Sequence, residues 1–69
     1  MTNPTINQFG EKVWHNSKGQ IHREDGPAYI CSDGSKNWFI NGQLHREDGP
    51  AQEFPNGYKA WWINGKNIE

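Results

Sequence analysis

Four side chains that could do chemistry stand in one string, His22-Arg23-Glu24-Asp25, followed by Gly26-Pro27-Ala28. The whole heptapeptide returns letter for letter as His45-Arg46-Glu47-Asp48-Gly49-Pro50-Ala51. An imidazole, a guanidinium and two carboxylates in succession are the raw material of acid–base chemistry or of an anion site. Duplication speaks against the first, because catalysis needs an asymmetric set of acid, base and nucleophile. The chain is therefore read as no enzyme. Glu24-Asp25 and Glu47-Asp48, each beside an arginine, read as ion-paired corners rather than catalytic carboxylate pairs. A metal held by His22, His45 and Cys31 would require two separate units to converge, so no metal and no cofactor are expected. The glycines are spread one per turn with no helix behind them, which is not how a phosphate-binding loop is built.

Binding fits these residue types better. His22, Arg23, His45 and Arg46 recur near Trp38, Phe39, Trp61 and Trp62, which brings cations and flat rings into one neighbourhood. That combination suits an anionic, planar, nucleotide-like ligand, with arginine on phosphate and a ring on the base. It equally suits a protein partner, since Trp, Tyr and Arg dominate interface hot spots.

The elements that must position these residues follow from an internal repeat. Gln20 to Gly42 and Gln43 to Gly65 are two units of 23 residues with 14 identical positions. A fainter copy, 11–19, precedes them with one extra residue before its glycine, and 66–69 begins another copy. The expected organisation is thus an N-terminal extension 1–10 and one repeat domain, 11–69. Asn41-Gly42 and Asn64-Gly65 follow apolar tripeptides, the strongest short signal for a type I′ hairpin turn. Asp33-Gly34 and Asn56-Gly57 mark a second turn in each unit. Nothing shows a helical period. The fold expected is all-β, an antiparallel meander of repeated hairpins without significant helix. Its strands are placed at 11–15, 20–24, 27–32, 36–40, 43–47, 50–54, 58–63 and 66–68. Gly-Pro, which interrupts pairing and accepts unusual backbone angles, should make each heptapeptide a corner, with Glu and Arg paired around it. Cys31 aligns with Phe54 and reads as a small buried hydrophobe.

Composition bears on partners. The 69 residues carry 32% apolar side chains and a net charge of -1, with pI about 6.3 and mean hydropathy -1.08. Nucleic acid is not the expected partner, because no basic field is present, and no membrane-spanning segment or signal peptide is read. One cysteine excludes an internal disulfide framework, and a reducing cytoplasm is the expected compartment. So little aliphatic material leaves self-association as the source of extra stability. Strict alternation would place Trp38 and Ile40 on one side of a sheet and Phe39 on the other, with Trp61, Ile63 and Trp62 repeating the arrangement. Rings on both sides need cover from a bend of the sheet or from another chain, and a homo-oligomer is expected; the alternative reading leaves Phe39 and Trp62 partly exposed or packed under the N-terminal segment.

The pattern Trp-x-x-Asn-Gly-x-x-His-Arg-Glu-Asp-Gly-Pro-Ala resembles the MORN-like hairpin repeats of phage, giant-virus and some bacterial proteins. The resemblance covers roughly Lys12 onward and departs from the eukaryotic MORN pattern at its glycine and aromatic positions. It implies a twisted sheet of hairpins, a viral origin and no enzymatic activity. The function expected from it is a phage-encoded protein in the host bacterial cytoplasm that blocks a host defence protein. Two alternatives stand beside it: an oligomer that sequesters a nucleotide immune signal in His/Arg/Trp pockets, and a structural or assembly module.

Overall fold

A computed structural model describes residues 4–68. Among them the chain is all-β and antiparallel, as the turn pattern predicts. Its strands are far shorter than expected: β1 (Thr5–Ile6), β2 (Lys12–Val13), β3 (Tyr29–Ile30), β4 (Lys36–Asn37), β5 (Phe39–Ile40), β6 (Gln43–Leu44), β7 (Gln52–Glu53), β8 (Lys59–Ala60), β9 (Trp62–Ile63) and β10 (Lys66–Asn67). β1 lies ahead of the first strand expected from the sequence and pairs with β2.

The spans 36–40 and 58–63, expected as continuous strands, are each broken at a tryptophan, and the hydrogen bonds give the reason. Trp38 donates its N–H to Ala51 O, while its C=O accepts from His45 N. Trp14 does the same between Ala28 and His22, and the C=O of Trp61 accepts from Ile68 N. Trp14, Trp38 and Trp61 are therefore the residues at which the chain leaves one ribbon and enters another. The first ribbon is the six-stranded sheet β1-β2-β3-β4-β7-β8. The second is a row of hairpins: residues 15–21, closed by the bridge His15↔Ile21, then β5-β6 and β9-β10. Successive hairpins of this row are joined by Gly42 N to Ile21 O and Gly65 N to Leu44 O. The heptapeptides are the return corners from the second ribbon to the first.

This crossing replaces the single sheet with aromatic rings on both sides. Trp62, expected on a face that needed cover, donates its indole N–H to Gln52 Oε1 at 2.9 Å, tying β9 to β7 of the other ribbon. Gln52 in turn donates to Asn37 Oδ1. Phe39 and Trp62 are both half-buried. Among the described residues the buried apolar ones are few: Trp14 and three alanines, Ala28, Ala51 and Ala60, with both corner alanines at 0% exposure. Such a core supplies little apolar burial, so hydrogen bonds and turns carry a large share of the specificity.

The turns follow their residue types. Asn41 and Gly42 (φ 51 and 82) and Asn64 and Gly65 (φ 51 and 79) have the paired positive angles of type I′ turns. The extra residue in the first copy gives a different turn, with Asn16 N bonded to Gln20 O and Gly19 N to Asn16 O. That wider form recurs at 7–11, 31–35 and 54–58 along the free end of the six-stranded sheet. Cys31 opens one of these turns and is half-buried rather than buried, although what burial it has pushes its thiol up. Neighbouring tips are laced by Glu11, which accepts from Asn7 Nδ2, Tyr29 Oη and Ser32 N.

Two carboxyls at these tips sit below their ordinary values. The Asn7 bond is the main cause for Glu11, and the Ser35 N–H for Asp33. A depressed folded value means that the unfolded chain binds more protons as pH falls, so stabilisation present at neutral pH is lost through the folded values. The urea midpoint should therefore drop as pH is lowered from neutrality through about 4, and Glu11→Gln should flatten that drop. A midpoint that stays level or rises on acidification would contradict the lacing.

Candidate functional site

Each corner is built around its arginine. The Arg23 Cζ lies 4.0 Å from the centroid of the Trp14 ring, and Arg46 lies 4.0 Å from that of Trp38. Arg23 donates through Nε to Asp25 Oδ1 at 2.9 Å and through Nη1 to the Pro27 carbonyl at 3.2 Å. Arg46 repeats both bonds, at 3.1 Å to Asp48 and 3.0 Å to Pro50, and adds Glu53 Oε2 at 3.3 Å. The hydrogen bond from Arg23, and then its charge, hold Asp25 below the usual carboxylate range.

The far side of each guanidinium rests on glycine. A Cβ built on Gly49 would lie 2.9 Å from Arg46 Cζ, and one on Gly26 would lie 3.1 Å from Arg23 Cζ. Neither glycine is among the residues with positive φ. The expectation that they serve unusual backbone angles is thus corrected: their service is room, because any side chain would enter the space of the guanidinium. The expected Glu–Arg pairing is corrected as well. Asp25 and Asp48 pair with arginine, whereas Glu24 and Glu47 lie 3.5 and 3.4 Å from the Nε2 of His22 and His45.

The histidines have a structural task in the next hairpin. His22 Nδ1 accepts from Asn41 N at 2.9 Å, and His45 Nδ1 accepts from Asn64 N at 3.0 Å. These are the first left-handed residues of the two type I′ turns, so each imidazole fixes the turn of the following hairpin. Alongside, Arg23 N donates to Phe39 O and Arg46 N to Trp62 O.

A groove of about 710 Å³ runs between the two corners, lined by Trp38 and Ile40 below and by Arg23, His45 and the four carboxylates Glu24, Asp25, Glu47 and Asp48 around it, with Arg46. A smaller one of about 490 Å³ repeats the arrangement over Trp14, His15 and the first corner, including His22. Of the residues singled out by sequence, Arg23, Trp38, His45 and Arg46 meet in the larger groove and His22 in the smaller. Phe39, Trp61 and Trp62 line neither. Trp61 stands in the third unit, its carbonyl taken by Ile68 N and Asn67 Nδ2.

Trp14 and Ile40 were not among the site residues singled out, and Gly26 and Gly49 were singled out for the corner but not as room for the arginines. Trp14 was findable, since Lys12-Val13-Trp14 copies the start of Lys36-Asn37-Trp38, which places a ring ahead of each arginine. The groove holds two guanidiniums against four carboxylates, and both guanidiniums are already engaged on one ring face and by at least two acceptors. Its rim is acidic. Among the described residues, no group of three or more His, Cys, Asp or Glu is placed to hold a metal ion. Nor is any helix among the described residues long and apolar enough to cross a membrane.

No family model, no curated protein and no solved structure matches the chain.

If glycine is required only as room for the guanidinium, Gly49→Ala should destabilise by about 1–3 kcal/mol, the usual cost of overpacking. In an Arg46→Ala background the same change should cost little, a coupling read from urea unfolding of the four proteins. Equal costs in both backgrounds would show that the glycine answers to something else.

Proposed function

We propose that the protein is a non-catalytic binding module whose partner is another protein, and that it takes a basic segment of that partner in the groove between its corners. The carrying observation is the division of labour inside the repeated string. The arginines that suggested an anion site are spent on Trp14, Trp38, Asp25 and Asp48. What each corner turns to solvent is carboxylate: the side chains of Glu24, Asp25, Glu47 and Asp48 are 77–88% exposed. Phosphate entering the groove would meet these acids, whereas the aliphatic stem of lysine or arginine can lie on Trp38 and Ile40 with its charge among them. The nucleotide-sequestering alternative draws less support for this reason. In the setting suggested by the MORN-like resemblance, the partner would be a bacterial host protein, blocked by occupation of a basic surface.

Titration with an oligolysine peptide, followed by tryptophan fluorescence and by the indole N–H resonance of Trp38, tests the reading. Binding should be seen, should weaken as salt rises, and should be lost in the charge reversal Glu24→Lys with Glu47→Lys, whose native side chains are exposed. ADP-ribose should leave the Trp38 resonance in place. Binding of ADP-ribose with no response to the peptide would overturn the proposal in favour of the nucleotide alternative.

A further inference from the structure

The large apolar side chains exposed among the described residues are Ile6, Phe9, Tyr58 and Ile68, each 59–66% accessible. Their distribution is uneven. Ile6 and Phe9 belong to the first hairpin of the six-stranded sheet, Tyr58 to its last hairpin and Ile68 to the partial copy that follows, with none in between. Ile68 also occupies the position held by His22 and His45 in the earlier units, which is where a corner receives the turn of the following hairpin. An apolar residue therefore stands at a hairpin-to-hairpin contact position and faces solvent.

The sheet supplies a matching pair of edges. Within it, hairpin pairs alternate with pairs that join successive hairpins: β1-β2, β3-β4 and β7-β8 are hairpins, and β2-β3 and β4-β7 join them. β1 is thereby equivalent to β3 and β7, and β8 is equivalent to β2 and β4. We infer that β8 of one copy pairs with β1 of a second copy, which continues the same joint head to tail. The register follows from the internal joints, which are Lys12↔Ile30 with Val13↔Tyr29, and Lys36↔Glu53 with Asn37↔Gln52. Lys59 then stands opposite Ile6 of the second copy, and Ala60 opposite Thr5. Lysine across from isoleucine is what Lys12↔Ile30 already presents inside the sheet. Lysine on an outer strand discourages indiscriminate edge pairing, so the joint that survives is the one in which Lys59 has an accepting neighbour. The contact is heterologous: its two surfaces differ, and repeated addition gives a ring or a filament rather than a two-fold dimer. Such assembly would set the acidic corner grooves of successive copies in one row.

Sedimentation of the 69-residue protein across a concentration series, with two variants at one exposed position, tests the joint. The weight-average mass should climb above 8.0 kDa as concentration rises. Ile6→Lys, which sets like charges opposite one another across the joint, should weaken association by about fivefold or more per joint. Ile6→Glu recreates the internal Lys36↔Glu53 pair and should associate at least as tightly as the parent. A mass fixed at one chain throughout the series would overturn the inference. So would equal weakening by both substitutions, which would indicate hydrophobic contact without this register, or no effect of Ile6→Lys.

Discussion

The guanidinium of Arg46 lies between the Trp38 ring and the backbone of Gly49, with Asp48 and the Pro50 carbonyl closing around its edge. Arg23 is held in the same way by Trp14, Gly26, Asp25 and Pro27. The ring belongs to the residue at which the chain passes from one ribbon to the other, and the arginine to the corner by which it returns. The stack therefore joins the crossing at the end of one unit to the return corner at the start of the next. The same corner places Ala51 at zero exposure, with its N–H and C=O engaged by Ala60 and Trp38. Among the described residues only four apolar ones are buried, three of them alanine, so no larger hydrophobic core among them takes over this task. A cation–π contact contributes about 0.5–2 kcal/mol, and charge-assisted bonds add to it.

The histidines carry the order on to the following hairpin. Each corner fixes its own arginine, and its imidazole accepts from the leading asparagine of the following type I′ turn. One short string thus ties its unit to the one before through the arginine stack and sets the hairpin turn of its own unit through the histidine. That is why every member of it returns unchanged after 23 residues, without any need for a shared catalytic task.

Much of this was legible in the residues. The Asn-Gly dipeptides located two hairpins, because only a left-handed pair of positions suits that turn, and the repeat located the corners. The layering was not legible. Alternation along Trp38-Phe39-Ile40 presupposes one continuous strand, whereas Trp38 bonds to one ribbon through its N–H and to the other through its C=O. Side-chain pattern cannot register a change of backbone partner. The engagement of the arginines was not legible either. Arginine and aromatic residues close in sequence suit an anionic planar ligand, and only the geometry shows that stacking and ion pairing engage the guanidinium and leave the neighbouring carboxylates outward. The glycine of the corner was recognised, yet its reason was assigned to backbone angle when it lies in the volume of a side chain three residues earlier.

A double-mutant cycle on Arg46 and Trp38 tests the arginine–tryptophan stack that holds each crossing to the corner after it. Urea unfolding of the parent, Arg46→Ala, Trp38→Leu and the double variant gives the coupling between them. Each single change should destabilise, and the double should cost about 0.5–2 kcal/mol less than their sum. Strict additivity of the two changes would contradict that role for the stack.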